Sequence, residues 1–156
     1  MTTEIYTIKA LDSYSWDMET CMESLNYALA YDKDNAVALC LMGRVQWEYF
    51  ANAESAIEYY EHALGANYAY AETYHHYIKL LIHLNRLEVA KRLVKFAATK
   101  HPYLKGTWLY YRALIQEAKG NWCKSLDCIN KSLKAAKTDA EITTLEELKA
   151  RVNKKK

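Results

Sequence analysis

Small side chains recur along this chain at a fixed spacing. Cys21, Ala56, Ala90 and Ser125 are separated by 35, 34 and 35 residues, and Ala28, Ala63, Ala97 and Ser132 repeat the same steps. Two series in register over most of the chain imply one structural unit stacked about four times, and a period near 34 residues belongs to paired-helix solenoids. One proline and four glycines in 156 residues leave little to interrupt helices. The expected fold class is therefore all-α, a helical-repeat solenoid with a single domain over residues 1–156. Its repeats span about residues 2–35, 36–70, 71–105 and 106–138, with a C-terminal capping helix over about 139–153.

Within the units, apolar and small residues follow helical periodicity. In the second they are Leu39, Met42, Gly43 and Trp47, then Ala56, Tyr60, Ala63 and Leu64, with a turn over Phe50 to Glu54. The third places Tyr74, Tyr77, Ile78 and Leu81 on its first helix and Leu87, Ala90, Val94 and Ala97 on its second, and Pro102 ends it. A fourth begins near Gly106 with Trp108, Leu109 and Ala113, turns at Gly120 and Asn121, and continues through Trp122, Ser125, Ile129 and Ser132. The first unit is the least regular: Ile5, Ile8 and Leu11 are the apolar residues of its first helix, and Cys21, Leu25 and Ala28 those of a second helix from about Asp17 to Tyr31. After the fourth unit, Ile142, Leu145, Leu148 and Val152 mark an amphipathic helix that covers the last repeat, with Lys154 to Lys156 fraying beyond it.

No segment approaches 18 consecutive apolar residues, and Met1 to Lys9 lacks the basic start and apolar core of an export signal, so the expected location is cytoplasmic and no membrane partner is expected. Four cysteines without a CxxC pair fit reduced, mostly buried thiols, with Cys21 and Cys128 on inward helix faces. Charge is distributed unevenly. Residues 1–69 hold 3 Lys/Arg against 11 Asp/Glu, and residues 70–156 hold 18 against 8. Such polarity bears on partners rather than on fold. It fits solvated faces, an acidic partner on the C-terminal half, or weak head-to-tail contact between copies.

At the residues named above the chain resembles the tetratricopeptide repeat family. The second unit carries the likeness most fully, with Leu39, Met42 and Gly43 on its first helix and the run Ala56-Ile57-Glu58-Tyr59-Tyr60-Glu61-His62-Ala63-Leu64 on its second. The third unit puts Ile78 where the family favours glycine, and the fourth places Arg112 where leucine is usual. The resemblance implies a right-handed superhelix whose concave wall is built from the first helices of the repeats and holds the partner. By position that wall is lined by Cys40, Arg44 and Trp47, by Glu72, His75, His76, Lys79 and His83, and by Tyr110, Tyr111 and Leu114. These are the candidate groove residues. Aromatic anchors supply large contact area at low entropic cost, although each ring has packing against the next helix as its alternative role.

The family's two-carboxylate clamp, which holds an acidic chaperone tail with Lys, Asn and Arg on three first helices, is not expected. The matching places hold Cys40, Leu41, Glu72, His75 and His76, with Arg44 and Lys79 the only cations. No metal is expected either: His76 and His83 are seven residues apart, about 10 Å along a helix, too far to share one zinc. The chain has no GxSxG, HExxH, P-loop or GxGxxG motif. Lys91, Arg92, Lys95, Lys100, Lys105, Lys124, Lys131, Lys134 and Lys137 fall mostly on second helices and linkers, the convex side, so nucleic acid is an unfavoured partner. The expected function is a non-enzymatic, cofactor-free adaptor that binds a protein or peptide in the groove as a monomer or weak self-associate. The alternative is electrostatic binding of RNA or an acidic protein by the basic half, or self-association.

Overall fold

The computed structural model describes residues 2–156, and these form nine α-helices with no strand. In chain order they are α1 (Thr2–Ser13), α2 (Met18–Tyr31), α3 (Ala36–Arg44), α4 (Ala53–Ala66), α5 (Ala71–His83), α6 (Leu87–Lys100), α7 (Lys105–Ala118) and α8 (Trp122–Ala135), and α1 packs on α2, α3 on α4 and α7 on α8. A final helix, α9 (Asp139–Lys155), follows. The chain forms two compact units, one ending at Tyr77 and the other running from Ile78 to Lys156, so the boundary falls inside α5.

Both series of small residues lie at helix contacts. Cys21, Ala56, Ala90 and Ser125 are all fully buried, as are Ala28, Ala63 and Ala97, with Ser132 at 2%. In the last repeat the two serines satisfy their hydroxyls on the facing helix: Ser125 Oγ donates to the Ala113 carbonyl at 2.9 Å and Ser132 Oγ to the Gly106 carbonyl at 2.7 Å. A hydroxyl thus replaces a methyl without leaving a buried polar atom unpaired. Second helices also begin in register, at Asp17, Asn52, Arg86 and Asn121. Asp17 and Asn52 cap theirs by accepting from Thr20 N at 3.0 Å and Ser55 N at 3.1 Å.

The two 35-residue steps have different structural causes. From the small or apolar crossing residue of the first helix to that of the second, the third and fourth units take 12 residues (Ile78 to Ala90, Ala113 to Ser125), but the second takes 13 (Gly43 to Ala56). The extra residue is absorbed in a π-helical stretch, Val45–Tyr49, at the end of α3, where Phe50 N donates to the Val45 carbonyl five residues back at 3.2 Å. Helix therefore extends to Tyr49, and the expected turn over Phe50 to Glu54 contracts to three residues before α4. The other long step lies in the linker before α7, where a single 3-10 turn, Pro102–Leu104, lengthens the connection. There the buried Trp108 indole donates to the His101 carbonyl at 2.8 Å and fixes the linker to the helix it feeds.

Reversal between paired helices uses the left-handed region at one register: Ala51 (φ 54°), Asn85 (φ 57°) and Gly120 (φ 75°), again 34 and 35 apart. Asparagine and glycine suit that region; alanine does so only with strain.

The first unit departs from expectation at α1. Its Ile5, Ile8 and Leu11 face solvent at 61%, 58% and 43% exposure, while Thr7, Ala10 and Ser13 are buried. The small face is selected because α2 presses against it with Cys21, Leu25 and Ala28, in one cluster with Ala10, Leu41, Met42 and Val45. Polar residues are tolerated there because Thr7 and Ser13 return their hydroxyls to the Thr3 and Lys9 carbonyls at 2.8 and 2.7 Å. At the other terminus α9 lays Leu145, Leu148 and Val152 against Ala113 and Ile129, whereas Ile142 is exposed. Helix α9 opens with a capping box between Thr138 and Glu141, and it includes Lys154 and Lys155, which were expected to fray. Of the cysteines, Cys21 and Cys40 are buried, Cys128 is half-buried and Cys123 is exposed.

Two substitutions test this packing. A Cβ on Gly43 would lie 2.6 Å from Cε1 of Tyr60, whose ring is buried and stacked on Tyr77 at 5.7 Å between centroids. Gly43→Ala should destabilise by about 1–3 kcal/mol through overpacking, read by urea unfolding. Ala51→Gly should raise stability by up to about 1 kcal/mol by relieving the left-handed alanine.

Candidate functional site

In the first unit Arg44 sits against two residues outside the candidate set, Tyr14 and Glu48. Arg44, at the end of α3, places its guanidinium carbon 4.4 Å from the centre of the Tyr14 ring and its Nε 3.6 Å from a Glu48 oxygen. The Tyr14 hydroxyl donates to the same carboxylate, and burial followed by Glu48 raises that phenol well above its ordinary pKa. The guanidinium thus lies beside the Glu48 carboxylate and the Tyr14 ring, although its Nε makes no hydrogen bond among the described residues. Cys40, expected on the groove wall, is buried, and burial pushes its thiol up to about 11. A buried, protonated thiol does not meet a ligand, so Cys40 leaves the set of groove contacts. Trp47, His75 and His76 are half-buried, and Glu72 is exposed with a carboxylate oxygen 3.7 Å from His76 Nε2.

In the second unit Lys79 and His83 are exposed on α5, Leu114 is half-buried and Tyr111 is buried. Tyr111 packs at 6.3 Å from Trp108 and 5.5 Å from Tyr110, so it is a core ring of this unit rather than a contact. Tyr110, its neighbour, lies half-buried and lines a cleft of about 310 Å3. The walls come from the 3-10 turn before α7, the start of α7, the end of α8 and the start of α9: Tyr103, Thr107, Tyr110, Ala135, Ala140 and Leu145 among them. Lys137 and Glu141 stand on its rim, with the Glu141 carboxylate accepting from the backbone N–H of Lys137 at 2.7 Å and of Thr138 at 3.2 Å. The cleft is thus mostly apolar, with two tyrosines in its lining and one acid already engaged in a helix cap. Its position could be inferred only from Tyr110 in the sequence; nothing there signalled that α8 and α9 would complete it.

A second, shallower hollow of about 440 Å3 is lined by Ile82, Leu114, Glu117, Ala118, Arg151 and Lys155. Its polar centre is Glu117, buried at 8% exposure on α7. Arg151 grips it with two bonds, Nε to Oε1 at 2.8 Å and Nη2 to Oε2 at 2.7 Å, and Lys155 Nζ adds a third at 2.9 Å. The Arg151 hydrogen bonds hold the Glu117 carboxyl below the usual glutamate range despite its burial. This cluster fixes α9 onto α7, an ion pair that the sequence did not reveal because its members lie 34 and 38 residues apart. Among the described residues no group of three or more His, Cys, Asp or Glu side chains is placed to hold a metal ion, and no helix is long and apolar enough to cross a membrane.

Because the folded pKa of Glu117 is depressed, the clamp contributes fully above the unfolded value of about 4.3 and is lost as pH falls through the folded one. Glu117→Gln should cost about 1.5–3 kcal/mol at neutral pH. That difference from wild type should shrink as the pH is lowered into the acid range, measured by thermal unfolding at a series of pH values.

No family model and no curated protein matches the chain. Solved structures do. PilF of Pseudomonas aeruginosa superposes with a TM-score of 0.79 at 16% identity, over 97% of this chain and 76% of that one. A thermophilic tetratricopeptide repeat protein of Thermus thermophilus gives 0.73 at 14% identity, over 98% and 80%. MamA of Desulfovibrio magneticus RS-1 gives 0.70 at 12% identity, over 98% and 94%. At such identities the likeness speaks to architecture alone, and that architecture, to which the 34-residue spacing and the paired helices also point, is the tetratricopeptide-repeat fold.

Proposed function

We propose that this protein is a non-enzymatic interaction module that binds a segment of a partner protein on the first-helix faces of its repeats. The observation that carries this is the cleft beside Tyr110: about 310 Å3 of mostly apolar space, open at the surface and lined in part by Tyr103 and Tyr110, which is the form of a pocket that receives an apolar anchor side chain. Trp47 and His76 in the first unit and Lys79 in the second supply further contacts, while Cys40 and Tyr111 take no direct part because both are buried. Arg44 acts through the shape of the Tyr14–Glu48 cluster rather than as a free cation.

One observation favours a second reading. Lys91, Arg92 and Lys95 project from α6 and Lys124 and Lys134 from α8, all exposed, so the second helices of this unit present cations to solvent. Two further lysines of this unit are paired, Lys119 in the turn after α7 with Glu88 and Lys131 on α8 with Asp127 at 2.7 Å. Binding of an acidic protein or RNA to this surface would weaken steeply with salt.

Affinity capture with wild type and Tyr110→Ala separates the two. Tyr111 is left intact because truncating a buried ring costs about 3–5 kcal/mol of stability. The expected result is a partner retained by wild type and lost by Tyr110→Ala, with unchanged recovery on Lys91→Glu/Lys95→Glu. A partner lost only from the charge-reversed protein would replace the cleft with the basic surface.

A further inference from the structure

We propose that the cleft of the second unit receives helix α1 of a second copy of this chain, so that the protein associates head to tail. This names an occupant for the cleft and so rests on the cleft being a docking site.

Helix α1 turns its small residues inward and leaves Ile5, Ile8 and Leu11 at 61%, 58% and 43% exposure. Spaced three residues apart, they form one ridge about 9 Å long. Trp16, 75% exposed, lies three residues beyond the helix end, its indole donating to the Asp12 carbonyl at 2.7 Å. A contiguous exposed row of large apolar side chains is the mark of a docking surface.

The cleft has the opposite shape, and the unit that holds it has the opposite charge. It is a mostly apolar hollow whose rim carries Lys137 and Glu141, the latter engaged in the cap of α9; exposed Lys105, Lys134 and Asp139 adjoin its lining residues Gly106, Ala135 and Ala140. The α1 ridge is flanked by exposed Glu4 and Asp12, with one cation, Lys9. Charge complementarity holds between the whole units: residues 1–77 carry 3 Lys/Arg against 12 Asp/Glu, and residues 78–156 carry 18 against 7. Like units of two copies therefore repel, and unlike units attract. That asymmetry favours a ridge-to-cleft contact over a ridge-to-ridge one. Because ridge and cleft are different surfaces, the contact is heterologous: each added copy brings a new ridge and a new cleft, and growth does not stop at two unless a ring closes.

The test is sedimentation equilibrium of the full chain up to millimolar concentration, at low and high salt. Wild type should rise in mean mass above the 18.1 kDa monomer with concentration, and less so at high salt. Ile5→Glu/Ile8→Glu removes the ridge and Ala140→Trp fills the cleft, and all three positions are exposed, so neither variant disturbs a core. Each variant alone should remain a monomer. Their equimolar mixture should form a heterodimer and go no further, since one copy keeps its cleft and the other its ridge. The inference is overturned by a wild type that stays monomeric at millimolar concentration, by either variant associating as wild type does, or by a mixture that does not pair. If wild type is monomeric while Tyr110→Ala still loses a captured partner, the self-docking falls and the cleft remains a partner site. If Tyr110→Ala loses nothing as well, both fall.

Discussion

Close approach between paired helices is the constraint on which the rest of this structure depends. Eight positions at two registers carry alanine, serine or cysteine, and each is buried to within 2% of full enclosure. A larger side chain there would push the helix axes beyond the roughly 8–10 Å at which side-chain ridges and grooves mesh. Gly43 shows how little room remains on the partner helix, for even one added carbon would enter the Tyr60 ring. Once those distances are set, the apolar residues three and four positions away fall into the interior, and the charged ones, Lys91 and Lys95 among them, are left to water.

The repeat is preserved although its length varies. A one-residue insertion in the second unit is taken up by a π-helical stretch at the end of α3, and a one-residue excess before the fourth by a 3-10 turn that starts at Pro102. Both lie outside the segments that carry the small residues, so the register of second helices starting at Asp17, Asn52, Arg86 and Asn121 is kept. A wider helical turn costs some hydrogen-bond geometry, but shifting Ala56 and Ala63 off the contact would cost much more, since every neighbouring side chain would then have to repack.

The expected binding surface changed most where burial and pairing intervened. Cys40 and Tyr111 occupy groove positions by sequence register but are enclosed by their neighbours, and Arg44 is engaged by Glu48 and Tyr14. Helical periodicity assigns a residue to a face of its helix; it does not say how far the next helix covers that face. Tyr110 and Tyr111 make the point, since adjacent residues on α7 differ in that one lines a cleft and the other fills a core.

The all-α class, the repeat and its length, the positions of the second helices and the identity of their contact residues were all legible in the sequence, because each depends on local periodicity and on side-chain size. Tertiary structure decided what depends on residues far apart in the chain. It turned the small face of α1 inward and its isoleucines outward, since only the former allows α2 to approach. Glu117 met Arg151 and Lys155 across 34 and 38 residues, and a cleft opened where α7, α8 and α9 converge. A periodic sequence specifies a unit and the spacing at which it stacks; the surfaces left uncovered at its ends depend on which neighbours each helix actually has.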